Sequence, residues 1–287
     1  MKKLLFIGLL WSQVEARDTF GYYNFDTEID KVNREYNEKK NLENISIYLS
    51  NNDKTIDFIL ESKYEENGRI ALYSGFPGEL IIEESCCGRD KRYYLDYYLY
   101  NEDYNNFILY KHLESNGILK ENENHIDLLN DEDIIVTFSN IPRGINGEKY
   151  NHIKLIKPNR LKAKKELKRL SLVFKNKQKK YVVTNLFYFY SILNLYPIEK
   201  TNLTTYNNIA YYLQKAGSNK EAVYLLEKII TKYPNRTVAY YNLGDAYWAL
   251  GDKQKAKEAY TTYTEQMCDA GKQKRIPKVV IDRITGK

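Results

Sequence analysis

Two stretches near the C-terminal end of this 287-residue chain align with each other at an offset of 34 residues. The first reads TYNNIAYYLQKAGSNKEAVYLLEKIITKYPN and the second AYYNLGDAYWALGDKQKAKEAYTTYTEQM. In register, Tyr206 falls on Tyr240, Asn208 on Asn242, Ile209 on Leu243 and Ala210 on Gly244. Leu213 then falls on Tyr247, Gly217 on Gly251, Ala222 on Ala256, Leu226 on Tyr260 and Ile229 on Tyr263. Each copy has an apolar stripe at helical spacing, a glycine break, and a second such stripe. Gly217 and Gly251 stand where a left-handed residue ends a helix. Pro234 cannot continue the first unit. Small residues at Ala210, Gly244, Ala222 and Ala256 let the paired helices approach, while tyrosines and leucines fill the space between them. An amphipathic helix pair cannot bury its own apolar face, so such units must stack.

This period and alternation of bulky and small residues resemble the tetratricopeptide repeat (TPR). The resemblance implies stacked helix pairs that bind a protein or peptide, with repeats at about 203–236 and 237–270. Two repeats are fewer than the roughly three a solenoid usually needs. RLKAKKELKRLSLVF and YVVTNLFYFYSILNLYP upstream, and the KVVIDRITGK segment after Pro277, therefore read as flanking capping helices. In a TPR stack the first helix of each pair lines the concave face. The resemblance accordingly places Asn207, Tyr211, Gln214 and Lys215 on that groove, joined by Tyr241, Asn242, Asp245 and Trp248. Val238 and Tyr241 stand where a carboxylate-clamping TPR domain wants cations, so a chaperone-type clamp is not expected. The groove is rich in aromatic and amide groups and suits a helix or extended peptide docked on rings.

The other end of the chain bounds the compartment. MKK, then LLFIGLLW, then SQVEA has the layout of a secretory signal peptide, with Val14 and Ala16 placing cleavage after Ala16. Its apolar run is eight residues, too short to span a bilayer. No later stretch reads as an integral membrane segment of the mature chain. A periplasmic or secreted protein is expected.

Charge divides the remainder. Residues 17–157 carry 27 acidic and 17 basic side chains, whereas 158–287 carry 10 acidic and 25 basic. Such polarity concerns association rather than fold. It allows the halves to attract each other, or each to meet a differently charged partner.

The acidic half reads as an antiparallel β-rich domain. Short runs rich in branched and aromatic residues recur: TIDFILESKY, RIALYS, ELIIEES, RYYLDYYLY, NFILYKHL, DIIVTFS and HIKLIK. Asn-Gly pairs at 67–68, 116–117 and 146–147 supply turns. The RYYLDYYLY run predicts tyrosine on both faces of its strand. The TEIDKVNREYNEKK segment, rich in Glu and Lys, predicts one or two helices in front. The fold class is α+β: a signal peptide over 1–16, an acidic tyrosine-rich β domain over 17–157, and an all-α basic TPR domain over 158–287.

Features that could carry chemistry are few. Cys86 and Cys87 are adjacent and Cys268 makes the count odd; one of the pair could bridge to Cys268. No second cysteine pair completes a zinc site. His112, His125 and His152 lack ligand spacing, so no metal and no cofactor are expected. The acidic stretch around Asp127, Asp131, Glu132 and Asp133 lacks the glycine and closing glutamate of a calcium loop. The run from Arg160 to Lys180 holds ten Lys or Arg against the single Glu166. On a helix it forms a cationic face for nucleic acid, anionic lipid or the acidic half; export argues against nucleic acid. The leading expectation is an exported, non-enzymatic binding protein, either an immunity-type inhibitor of a toxin or an envelope adaptor. The alternative is a hydrolase in the β domain to which the TPR region recruits substrate.

Overall fold

The computed structural model describes residues 20–21, 30–37, 42–49, 53–61, 69–85, 93–115, 134–137, 143–149, 159–176 and 185–286. The signal-peptide reading, Cys86 and Cys87, His125, His152, the acidic stretch through Asp133 and the HIKLIK run lie outside them.

Two antiparallel sheets come first. One runs in the order β1 (Phe20–Gly21), β2 (Asp30–Asn37), β3 (Leu42–Leu49), β4 (Lys54–Glu61). The other orders β5 (Arg69–Ser74), β6 (Glu79–Ser85), β7 (Tyr93–Asn101) and β8 (Asn106–Ser115), with β9 (Ile134–Thr137) and β10 (Arg143–Gly144) both pairing to the free side of β8. Strand β3 explains the first sheet: Ile45, Ile47 and Leu49 are buried while Asn44, Ser46 and Tyr48 point away. Across the ladders Ile47 meets Val32 and Ile56, and Ile45 meets Phe58. This apolar face packs on Leu72, Leu80, Ile82, Tyr100 and Phe107 of the second sheet, making a sandwich. Arg34 ties the sheets together, bonding Glu43 at 2.6 Å and donating to the Ile70 carbonyl at 3.0 Å.

The Asp30–Asn37 part of the TEIDKVNREYNEKK segment is therefore a strand, not part of the one or two helices expected there. Continuous pairing of Lys31–Asn37 with β3 and burial of Val32 outweigh the helical preference of those residues.

The second sheet is covered on both faces. Leu80 and Ile82 point into the sandwich, whereas Ile81, Leu95, Tyr97 and Leu113 point the other way. That double covering is why three successive apolar residues, Leu80, Ile81 and Ile82, are all buried in β6, and why Tyr97 and Tyr100 of β7 enter different cores. The outer cover is helical.

Helices α1 (Arg160–Lys175) and α2 (Leu186–Leu195) are each started by an asparagine. Asn159 accepts from the Lys162 N–H at 3.0 Å and Asn185 from the Tyr188 N–H at 2.9 Å. Two helix pairs follow: α3 (Leu203–Lys215) with α4 (Asn219–Lys232), and α5 (Thr237–Leu250) with α6 (Lys253–Asp269). Both helices of the second pair begin 34 residues after their counterparts in the first. Gly217 and Gly251 take positive φ, 84° and 86°, at the breaks. A 3-10 turn at Gln273–Arg275 and helix α7 (Lys278–Thr285), entered from Pro277, end the described chain. Packing is serial: α1 lies on α3, α3 on α5, and α7 on α6. The architecture is α+β, an antiparallel β region followed by helices.

Among the described residues the halves meet through apolar packing, and no ion pair spans them. Phe76, at the tip of the β5–β6 hairpin, is buried in the helical core with Ala163, Leu167 and Leu170. In return, Phe187 of α2 enters the cluster of Ile81, Leu95, Tyr97 and Leu113, its ring 4.5 Å from Tyr73. Asn185 donates to the Ser74 carbonyl at 2.9 Å.

Candidate functional site

The residues singled out on α3 and α5 divide by burial. Asn207 and Asn242 are buried, and the Asn207 Oδ1 has no hydrogen-bond partner. Gln214 is half-buried. Tyr211 and Lys215 are exposed on α3, one turn apart. Tyr241, Asp245 and Trp248 stand one turn apart along α5, partly exposed.

Asp245 organises this surface. Its Oδ1 accepts from the Tyr260 hydroxyl at 2.7 Å and from Arg283 Nη1 at 2.8 Å, and Lys215 Nζ stands 4.0 Å from its Oδ2. The carboxylate thus links α3, α5, α6 and α7. Arg283 also donates to the Tyr260 hydroxyl and lies over the Trp248 ring, 4.8 Å from its centroid. Lys253 covers the same indole at 3.6 Å while donating to the Trp248 carbonyl at 3.0 Å. Tyr241 leans on Tyr263, with centroids 5.2 Å apart, and Lys215 lies 5.5 Å from the Tyr211 centroid.

The phenols here resist ionisation. Burial raises Tyr260 far above the ordinary tyrosine value, and its hydrogen bond to Asp245 adds to the shift. Tyr241 is raised by burial first and by Asp245 next. Both remain neutral hydroxyls at physiological pH. Lys215, Lys253 and Arg283 set three cations against one carboxylate, so the surface presents aromatic rings rimmed by positive charge.

Residues 213–269 match the family described as tetratricopeptide repeat. The C-terminal region carries a tetratricopeptide repeat. Repeats of this kind serve protein–protein interaction, and the match runs from the end of α3 through α6. No curated protein matches the chain.

Three residues of this surface escaped the sequence reading: Lys253, Tyr260 and Arg283. Arg283 was within reach, because it lies two periods of 34 beyond Lys215. It therefore occupies the matching place on α7, as though α7 opened a third repeat. Elsewhere, Cys268 is a free, exposed thiol on α6. His112 pairs with Asp96 at 2.5 Å on adjacent strands. Among the described residues no cluster of His, Cys, Asp and Glu is placed to hold a metal ion. Among them, too, no helix is long and apolar enough to cross a membrane.

Proposed function

We propose that the chain is an exported, non-enzymatic binding protein that holds a protein or peptide against the α3–α5 face of its repeats. The observation that carries this reading is the grouping of Tyr241, Trp248, Lys215 and Arg283 around Asp245. Tyrosine, tryptophan and arginine dominate the energetics of protein interfaces. Here they stand partly exposed on rigid helices, with rotamers held by neighbouring rings and ion pairs. Preorganisation of this kind lowers the entropic cost of binding. The concrete form of the function is an immunity-type inhibitor of a toxin reaching the same compartment, or an adaptor in the cell envelope.

The test is affinity capture from native envelope with the wild-type chain and with a Tyr241→Ala/Trp248→Ala variant whose fold is checked by circular dichroism. A partner held by the first and lost by the second supports the groove. A toxin among the captured proteins assigns immunity, and a resident envelope component assigns the adaptor role. Equal capture by both forms would remove the groove from the account.

A further inference from the structure

Helix α1 presents a feature that the groove does not use. Leu161, Lys164, Lys165, Lys168, Leu172 and Lys175 are all exposed. At about 100° per residue these six positions fall within a sector of roughly 100°. They form one straight stripe, about 21 Å long at 1.5 Å per residue. Leu161 is 63% exposed and Leu172 51%, among the most exposed large apolar side chains described. The opposite face of the helix is buried through Ala163, Leu167, Leu170 and Phe174, so the stripe cannot turn inward.

The helix sorts its cations by type. Its arginines serve the fold: Arg160 pairs with Glu199 at 2.7 Å, and Arg169 with Glu166 at 2.6 Å. Glu166, its only acid, is buried and also accepts from Tyr188. Four of its five lysines, Lys164, Lys165, Lys168 and Lys175, are left on the solvent face, and no carboxylate pairs with these four among the described residues; Lys162 is half-buried. Helix capping accounts for only one of them: Lys175 stands in the last turn, where a cation complements the helix dipole, whereas Lys164, Lys165 and Lys168 lie outside both terminal turns.

We propose that this stripe seats the protein on an anionic lipid bilayer, with the lysines on the headgroups and the two leucines entering the interface. A diffuse layer of negative headgroups takes unpaired lysines one by one and needs no matched geometry. Protein interfaces are depleted in lysine, so this composition disfavours a protein partner. Nucleic-acid surfaces favour the planar fork of arginine and offer no place for exposed leucines. The stripe lies on α1, so the inference stands apart from the groove reading.

Flotation of the full chain with vesicles tests it. Equimolar phosphatidylglycerol and phosphatidylcholine would be compared with phosphatidylcholine alone. Wild-type protein is expected to float with the anionic vesicles only, and to be released at high salt. The surface variant Lys164→Glu/Lys165→Glu/Lys168→Glu should lower partitioning by about a hundredfold or more, near five-fold for each lysine lost. Leu161→Ser/Leu172→Ser should weaken binding while keeping its salt dependence. Circular dichroism and sedimentation of the variants establish that they remain folded. Absence of flotation, equal binding to neutral vesicles, or unchanged binding of either variant would overturn the proposal. So would a wild-type dimer dissolved by the triple charge reversal, which would give the face to a second copy of the chain.

Discussion

The Ser191 hydroxyl of α2 donates to Glu79 Oε2 of β6 at 2.9 Å, a buried polar bond between the β region and the helices. Glu79 also accepts from the Phe76 N–H at 2.8 Å and from the Tyr110 hydroxyl. A bulge in β8 opposite Tyr97 and Tyr98 leaves Tyr110 unpaired in the ladder, where its hydroxyl reaches the carboxylate. Gly75 makes room for it, since a Cβ there would lie 2.0 Å from Glu79 Oε2. Burial raises the Glu79 carboxyl above its ordinary 4.5, opposed by bonds from Tyr110, Phe76 and Ser191 and by the Lys111 charge.

A pH dependence follows from that shift. A carboxyl that binds its proton more tightly when folded contributes most at low pH, and the contribution is lost as pH rises from 4.5 through the folded value. Glu79→Gln, which cannot ionise, should remove this component. In urea titrations from pH 4.5 to 7.5, the stability of wild type relative to the variant should fall as pH rises. A difference that is flat or rises with pH would show that Glu79 does not titrate upward.

Phe76 reaches across the junction between the two halves, so their unfolding is expected to be coupled. It leaves a β hairpin to fill the helical core beside Leu167 and Leu170. Phe76→Ala should cost about 3–5 kcal/mol. It should also split a single denaturation transition into separate β and helical steps, read by amide hydrogen exchange of the strands and by helical ellipticity respectively. Retention of one coincident transition at unchanged midpoint would count against this coupling.

What the sequence made legible depended on how locally each element is determined. The repeat helices were readable because 34-residue self-similarity, the glycine breaks and the 3.6-residue stripe all point the same way. Strand β3 alternates at Ile45, Ile47 and Leu49, but it was not among the runs read as strands, and it stood beside a stretch read as helical. The fate of that stretch is settled by its pairing partner, which composition cannot reveal. The same limit hid Phe76 and Glu79: nothing local in SGFPGE indicates a helical core that begins at Ala163, far along the chain. Two repeats suffice here because the stack is not free-standing. Helices α1 and α2 with the sheet beneath them close one end, and α7 closes the other.

The repeat packing makes a steric prediction at Gly244, where α5 crosses α6. A Cβ at this position would lie 2.4 Å from Tyr260 Cε1 and 2.5 Å from Cδ1. Tyr260 is fully buried and its hydroxyl is tied to Asp245, so its ring cannot swing aside. Gly244→Ala should therefore destabilise the chain by about 1–3 kcal/mol, despite the better helix propensity of alanine. A rise in the thermal midpoint would refute the close approach.

Arg283 couples helix α7 to the groove. Its guanidinium bonds Asp245 and Tyr260 and lies over Trp248, so it is held by both helices of the second pair at once. Arg283→Ala leaves the partly buried Asp245 carboxylate with fewer donors and uncovers the indole. A loss of about 1–3 kcal/mol is expected in urea unfolding. In a Trp11→Phe background, where Trp248 is the only tryptophan, its emission should also shift. Arg283→Lys should restore little of either, because a point charge cannot both bond the carboxylate and stack on the ring. Full rescue by lysine would reduce the contact to simple charge pairing, leaving Trp248 oriented by Lys253 alone.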